Sequence, residues 1–470
     1  MFRTILEKEL RDLVSSVKFA LTFGVCALLI LLTFYVGARN YHLSQSQYEA
    51  AKMENVRQME GLTDWLAVRN YRIFLPPEPV ATLVTGISND IGRTVEVEGR
   101  GELTAQDSKF NEDPIYAAFR FLDLDFVFQI VLSLFAILFA YEAVNGEKER
   151  GTLRLVFSNA VSRVSFILGK IVGSFLGLSV PLIVAILLGC LLLPIMRVPM
   201  ASDDWLRLTL VVFAGLLYFG AFLTLAVLVS ALTHRSANAF LMLLVIWILA
   251  VAIIPRSSVL LAARAVEVPT VDEIAAQKTR FASQLWQEDH QKIAAFTPAK
   301  KGNAEEMLGE FQKLMQELAD AREQKILEFA SRLNEERRNR QEQQERLAFN
   351  LARISPAAAF SLAITSLAGT SLQLKQHFLD EAQAYQRAYA SFIQEKTGIN
   401  PGGGMILMRI SDDGETPKPI DPRELPEFHY QRQSLDRVLS AAFVDLGILA
   451  MFNLAFFAGA FLAFLRYDVR

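Results

Sequence analysis

Residues 141–170 read YEAVNGEKERGTLRLVFSNAVSRVSFILGK, a charged stretch that lies between two long apolar runs. Its first half mixes acidic and basic residues ahead of a Gly-Thr-Leu step, and its second half carries apolar residues at helical spacing. Such order in a short connection indicates a docking site, because carboxylates at a membrane edge can pair with arginines of a soluble partner. The candidate contact residues are Glu142, Glu147, Glu149, Arg150, Gly151 and Thr152. The alternative is a solvated loop whose charges only orient the membrane spans.

The composition indicates a membrane protein with sizeable aqueous parts. Apolar residues make up 52% of the 470 residues, whereas 21% are charged, which is too many for a bare bundle of membrane helices. The net charge of −3 argues against a general attraction to nucleic acid. Cys26 and Cys190 lie inside apolar runs, where they indicate small hydrophobic residues rather than a disulfide or zinc framework.

Six apolar stretches are long enough to cross a hydrocarbon layer of ~30 Å. The predicted spans are 17–38, 121–141, 167–196, 206–232, 237–254 and 438–465. Basic residues near their ends fall on one side if both termini are cytoplasmic, which places 142–166 and the tail 466–470 inside and the connections 39–120 and 255–437 outside. Residues 354–374, rich in Ala, Ser and Thr, are predicted to form an interfacial or buried helix of the outer domain, with a seventh span as the alternative.

Residues 1–16 form a separate element. Apolar residues recur at helical spacing, with charged residues on the opposite side. The pattern predicts an amphipathic helix in the cytoplasmic interface that leads into the first span. The sequence as a whole therefore predicts a mainly α-helical membrane protein with this interfacial helix, six spans and a large, mostly helical extracytoplasmic domain.

The first outer connection predicts a helix over 40–60 and a short strand in 93–98, where β-branched residues cluster. The second is dominated by a helical pattern over about 303–353, which would run ~75 Å at about 1.5 Å per residue. Helical patterns at 271–295 and 373–394 can pack against its apolar stripe. Residues 334–346 contain no apolar side chain and are predicted to be exposed near the outer tip.

The stretch at 141–170 resembles the first cytoplasmic loop of permease subunits of type-2 ATP-binding-cassette (ABC) exporters. In that family an E-x-E-x-GTL-like run forms the coupling helix that rests on the ATPase. The run FLDLDFVFQIVLSLFAILFA upstream and the opening ILEKELRDL fit the same order of elements. About 180 residues between the fifth and sixth spans depart from members that carry only small gate helices there.

The resemblance implies two copies of a separate ATPase, which bind ATP and Mg, and a second identical or homologous permease. It also implies a bacterial cytoplasmic membrane. No GxxxxGK[ST] phosphate loop, HExxH or CxxC occurs in the sequence, and the nearest fragment, Gly169-Lys170, begins an apolar span. This chain is therefore not expected to be an enzyme or to bind a cofactor or metal itself.

The mechanism remains open at this point. The permease could export a lipid-like or peptide cargo, or move its long outer helix as a lever against an extracytoplasmic protein. A different class is a multi-span receptor or anchor whose outer helical domain binds a partner without any ATPase.

Two further sets of residues are candidates for helix packing and for a path through the bundle. Gly169, Gly173 and Gly177 form a doubled GxxxG face that can pack within the subunit or across a dimer. Asp445 and Asn453 are polar residues on the last apolar span and candidate members of a translocation path. Asp445 should face a cavity or a partner, unless the hydrocarbon layer begins only after it.

Overall fold

A computed structural model describes most of the chain. The described residues are 2–68, 71–86, 88, 91–97, 103, 105–106, 123–158, 161–296, 304–398 and 419–466. This part is mainly helical, and seven helices or chains of helices within it are long and apolar enough to cross a membrane. The start of the predicted second span at residue 121 and the last four residues of the tail lie outside the described residues.

The helix of the first candidate span continues well beyond the predicted span. Helix α1 (Phe2–Val14) is followed by helix α2 (Val17–Met59), and the Ser16 hydroxyl accepts a hydrogen bond from the Phe19 N–H to cap α2. Helix α2 has 43 residues and a length of roughly 65 Å at about 1.5 Å per residue. The predicted change from span to loop at residue 38 therefore falls inside one helix, since residues 38–60 contain neither glycine nor proline.

Two candidate spans contain a wider helical turn. The second consists of α3 (Leu124–Phe126), a π-helical stretch (Val127–Leu132) and α4 (Ser133–Ala140); the fifth consists of α9 (Ser236–Trp247), a π-helical stretch (Ile248–Ile253) and α10 (Ile254–Ala265). Such turns shift the backbone hydrogen-bond pattern and often mark functional positions. The Gln129 carbonyl accepts a hydrogen bond from the Tyr218 hydroxyl at 3.0 Å, and the Ala250 carbonyl accepts one from Ser355.

Helix α8 lies at the centre of the bundle. The connection after α4 holds α5 (Asn145–Glu149) and α6 (Thr152–Ser158), and the next two candidate spans are α7 (Arg163–Ile195) and α8 (Ser202–Leu232). Tyr218 and Phe222 on α8 are fully buried, and α8 contacts most of the other spans.

The helix predicted over 303–353 is confirmed as α12 (Ala304–Ala352), which forms an antiparallel hairpin with α11 (Val271–Ala294). The rings of Phe281 and Phe329 stack with centroids 4.1 Å apart, and Arg322 donates to Asp289 at 2.7 Å. Helix α10 also packs along α12, so the fifth candidate span continues directly into the hairpin.

The predicted position of residues 334–346 near the tip is wrong. Arg337 donates to the Pro269 carbonyl at 3.0 Å, and Gln344 donates to the Val266 carbonyl at 2.8 Å. This segment therefore lies at the base of the hairpin, far from the end at which α11 finishes and α12 begins. Its polar side chains satisfy carbonyls in the turn from α10 to α11, a role that the charge pattern alone does not reveal.

Residues 354–374 do contain a buried helix, α13 (Pro356–Ala368). It packs between α8 and the last candidate span, α15 (Leu435–Leu465), and the Phe360 ring stacks on Tyr218 with centroids 4.6 Å apart. Gly369, with φ 72°, ends the helix before α14 (Gln373–Thr397) begins. The sixth candidate span in chain order is thus a composite of α13 and α14, and α13 alone is only ~20 Å long at about 1.5 Å per residue.

The two predicted outer segments share one hydrophobic core. Three antiparallel strands lie in the order β1 (Tyr71–Phe74), β2 (Thr94–Val97) and β3 (Ala105–Gln106), with short 3₁₀ turns at Trp65–Ala67, Val80–Thr82 and Pro422–Glu424. Strand β2 confirms the predicted strand. Helix α14 packs on the sheet and on Trp65, whose ring meets Phe392 edge-on at 4.8 Å.

A charged joint connects this second hydrophobic core to the start of α8. Arg207 is 1% exposed and donates to Asp203 at 2.8 Å and to the Gln433 carbonyl at 2.6 Å. Arg432 pairs with Asp204 and lies 2.9 Å from Glu78. Burial raises the pKa of Glu78, although Arg432 and Arg207 act to lower it. The joint therefore fixes both outer segments relative to the central helix.

Candidate coupling site

Helix α5 closes one end of the bundle beneath α8. The backbone N–H groups of Val144 and Asn145 donate to the Ser230 hydroxyl at 3.0 and 3.1 Å. The Lys148 ammonium donates to the Ala231 carbonyl at 2.6 Å, where α8 ends. These bonds satisfy polar groups at the end of α8 that have no partner within the helix. The charged connection is thus a structured part of the bundle rather than a solvated loop.

Glu147 and Lys170 form the centre of a buried ion cluster. The Lys170 ammonium lies 3.0 Å from Glu147 and 2.6 Å from Glu9, and Lys170 is only 5% exposed. Glu147 also accepts hydrogen bonds from Lys8 at 3.1 Å and from the Thr152 hydroxyl at 3.0 Å. We call Lys8, Glu9, Glu147 and Lys170 the ion cluster. It joins α1, α5 and α7, and water can reach only Lys8 freely, so the other three charges depend on one another.

The other two acidic residues of the connection also have partners within the chain. Glu149 accepts hydrogen bonds from both the backbone N–H and the hydroxyl of Ser236 at 2.8 Å, at the start of α9. A carboxylate at a helix N-terminus is favourable because it meets unsatisfied N–H groups and the positive end of the helix dipole. Glu142 lies 3.8 Å from the Lys18 ammonium at the start of α2.

An exposed surface remains on the other side of the connection, and we call Arg150, Gly151, Arg154 and Leu155 the exposed loop face. Leu155 is 68% exposed, and Gly151, with φ 70°, makes the turn between α5 and α6. Of the six residues that the sequence singles out, Arg150 and Gly151 lie on this face and Thr152 is half-buried beside it.

Arg154 and Leu155 are not among the contact residues that the sequence singles out. The opposite side of α6 packs on the bundle, where the Phe157 ring lies 5.5 Å from Phe166 and 5.8 Å from Phe464. Leu153 on the same side is 3% exposed. At about 100° per residue, this packing turns residues 154 and 155 outward. The four-residue spacing of Leu153 and Phe157 is the sequence signal that could have identified residues 154 and 155 as outward-facing.

The doubled GxxxG face packs within the subunit. A Cβ atom on Gly169 would lie 2.8 Å from Ile5, and one on Gly173 would lie 2.9 Å from Glu9 Cβ. The third glycine of the face meets Leu13 in the same way. Contacts that advance by four residues on both helices show that α1 runs parallel to the first turns of α7. The small residues thus bring α1 close enough for Glu9 to reach Lys170.

The N-terminal helix, the α5–α6 connection and the end of α15 lie at the same end of the bundle. Lys8 reaches Glu147, and Arg163 donates to the Leu465 carbonyl at 2.5 Å. A family model described as ABC-2 family transporter protein matches residues 3–469. The chain belongs to the ABC-2 transporter family. It is a multi-pass membrane protein and a type-2 ABC permease. No curated protein matches the chain.

Both polar residues on the last span of the permease have partners inside the subunit. Arg353, which follows α12, binds Asp445 with two hydrogen bonds of 2.6 and 3.1 Å, and the Asp445 side chain is 3% exposed. Asn453 donates to the Leu217 carbonyl of α8 at 2.8 Å. The two residues are eight positions apart on α15, so they lie ~12 Å from each other along the helix axis. The pair with Arg353 ties the α11–α12 hairpin to the last candidate span.

Replacing Gly173 with leucine is expected to displace α1 from α7 in the permease. The added side chain meets Glu9 at its first carbon, and overpacking of this kind costs about 1–3 kcal/mol. Reversible unfolding in mixed detergent micelles measures the change in free energy of unfolding. Gly447→Leu is the matched control, because a Cβ at Gly447 has nothing within 4 Å. Equal effects of the two substitutions would contradict the assignment of the glycine face.

Proposed function

We propose that the permease couples ATP hydrolysis by a separate ATPase on its cytoplasmic side to mechanical work on its outer side. The observation that carries this proposal is the continuous connection between the two sides. The ion cluster holds the coupling connection to α1 and α7, and the fifth candidate span runs through α10 into the outer hairpin. A push on the exposed loop face thus reaches the spans without a flexible joint.

Six spans with both termini in the cytoplasm fit this arrangement. Because α1 and the end of α15 share one end of the bundle, an even number of crossings is required. Helix α13 is too short to cross, and the break at Gly369 separates it from α14. The extracytoplasmic domain then consists of the hairpin, the sheet and α14. The permease itself is placed in the cytoplasmic membrane of a bacterium.

The ATPase contact is proposed for the exposed loop face and the adjacent Thr152, with two ATPase copies that bind ATP and Mg and a second permease in the complex. Membership in the ABC-2 family supports this assembly over a receptor or anchor without an ATPase. In the proposed mechanism, closure of the ATPase pair displaces the connection. The ion cluster passes that displacement to α1 and α7, and α10 passes it to the hairpin.

Export of a lipid-like cargo is the second candidate function. An apolar recess between α2, α4 and α7 is lined by Phe19, Phe23, Phe135 and Phe139, together with Leu178 and Leu182. A lining of this kind suits an acyl chain.

Shortening the hairpin tests the lever. Deleting residues 282–288 and 323–329 removes two turns, about 10 Å, from each helix and keeps the Asp289–Arg322 pair. We expect the shortened permease to copurify with a P-loop ATPase and to keep its ATPase rate, while a chromosomal copy no longer supports the cellular function of the intact gene. The control Gln284→Ala/Gln287→Ala changes exposed side chains without changing the length.

Full cellular function of the shortened protein would exclude the lever and favour export. Loss of assembly would instead identify the hairpin as a structural brace and also exclude the lever. If the intact permease copurifies with no P-loop ATPase under gentle extraction, the receptor alternative gains support and the coupling proposal fails.

A further inference from the structure

We propose that the ATPase surface which receives the exposed loop face is an apolar pocket rimmed by carboxylates, with Leu155 as the anchor and Arg150 and Arg154 on its rim. The acidic residues of the connection do not contribute to this contact and act within the permease. This inference rests on the proposed function, because it specifies the chemistry of the ATPase partner.

The carboxylates of the connection are already engaged within the permease. Glu147 is 7% exposed and is surrounded by Lys170, Lys8 and Thr152. The exposed Glu149 directs both of its oxygens to Ser236. Breaking these interactions to reach an arginine on another protein would remove one of the two carboxylates that pair with Lys170, or the carboxylate that holds the start of α9, and either loss is costly.

The exposed loop face carries positive charge. Arg150 and Arg154 lie at the surface of the connection, and Arg235 directly precedes the serine that Glu149 holds. Interfaces place complementary potentials opposite each other, since like charges across a contact cost free energy and slow association. The partner surface is therefore expected to carry aspartates or glutamates around the point of contact.

Leu155 is the apolar side chain of the exposed loop face. A single exposed leucine is ordinary on a protein surface. Here it projects from a short helix whose other side is fixed by Phe157 and Leu153, and the exposed Arg154 directly precedes it in the chain. Binding an anchor that is already held in place requires little further ordering, and an apolar anchor inside a polar rim is the usual anatomy of a tight contact.

A membrane surface rich in anionic lipid would also attract two arginines. An interfacial helix, however, buries a broad apolar face in the bilayer. The apolar face of α6 is already packed on the bundle through Leu153 and Phe157, and Leu155 is the one large apolar side chain that α6 turns outward. A protein pocket accommodates one side chain, whereas a bilayer gains little from it.

The test uses the full permease expressed with its native ATPase. Leu155→Asp and the pair Arg150→Glu/Arg154→Glu are each expected to lower the amount of copurified P-loop ATPase about tenfold. Leu155→Ala should give a smaller loss. Arg11→Glu is the matched control, because Arg11 is an exposed arginine on α1 and not part of the exposed loop face, and no loss is expected. The free energy of unfolding in micelles verifies that each variant is folded.

A photoreactive amino acid at position 155 identifies the contact directly. Crosslinks to an ATPase peptide that contains acidic residues beside apolar ones are the expected result. Normal copurification of all the variants, or crosslinks to lipid alone, would overturn the inference while the proposed function stands. Copurification that is lost on Glu147→Gln but unaffected by Leu155→Asp would return the contact to the acidic residues. Absence of any ATPase with the unmodified permease would overturn the proposed function and this inference together.

Discussion

Replacing Lys170 with methionine is expected to lower the free energy of unfolding of the permease by about 3–5 kcal/mol, the usual cost of removing one partner from a buried ion pair. Methionine keeps most of the length and apolar stem of lysine. The substitution leaves the Glu9 and Glu147 side chains, 12% and 9% exposed, close together without the ammonium between them. Two carboxylates in this position repel each other, and water cannot hydrate them fully.

Reversible unfolding in mixed micelles provides the measurement, and Lys8→Met provides the matched control. Lys8 contacts the same Glu147 carboxylate at 3.1 Å, but its side chain is 53% exposed. An exposed pair contributes at most about 1 kcal/mol, so the control should change stability little. A triple variant, Glu9→Gln/Glu147→Gln/Lys170→Met, should recover most of the loss because no uncompensated charge remains. Similar losses for Lys170→Met and Lys8→Met would show that burial of the ion cluster has no energetic consequence.

The functional consequence of losing Lys170 concerns the attachment of α1 to the rest of the bundle. The packing of α1 on the glycine face is close and mostly apolar, through Ile5, Leu10 and Leu13, so the ion cluster supplies the directional contacts that hold α1, α5 and α7 together. If the proposed coupling is correct, Lys170→Met reduces the ATPase rate in the assembled complex more than it reduces copurification of the ATPase. The connection would still dock but would no longer move the spans with it.

The sequence predicts the helices of this permease well where a long periodic pattern exists. The apolar stripe of residues 303–353 gives α12 to within about a residue, and the pattern at 271–295 gives α11 equally closely. Strand β2 lies inside the predicted segment because three β-branched residues occur there in four positions. These features depend on local spacing, which the sequence shows directly.

Contacts between distant segments were not predictable in the same way. Lys170 lies near the beginning of an apolar span, and nothing in the local sequence indicates that Glu9 and Glu147 surround it. The internal partners of Glu142, Glu147 and Glu149 lie in α1, α2, α7 and α9, and the local charge pattern does not show them. The prediction that residues 334–346 lie near the tip of the hairpin is wrong for the same reason. Composition does not show which end of α12 meets the turn after α10.

Replacing Asp445 with leucine is expected to cost about 3 kcal/mol of unfolding free energy and to loosen the outer hairpin. Arg353 loses a partner that holds it by two hydrogen bonds at the point where α12 reaches the bundle. The guanidinium cannot be neutralised, and its side chain is only 25% exposed. Asp436→Leu is the control, because Asp436 is an exposed carboxylate in the first turn of the same helix. It should cost no more than about 1 kcal/mol.

The double variant Arg353→Leu/Asp445→Leu separates stability from transmission. Without a charge in the bundle it should regain most of the lost free energy, because apolar residues can replace a buried ion pair at little cost. It lacks the polar link between α12 and α15, however, so amides near residue 352 should exchange hydrogen faster than in the unmodified permease. If the hairpin acts as a lever, this stable variant retains the ATPase and its hydrolysis rate but loses the cellular function. A variant that restores stability and cellular function together would show that the pair only fills the bundle, and that force reaches the hairpin through α10 alone.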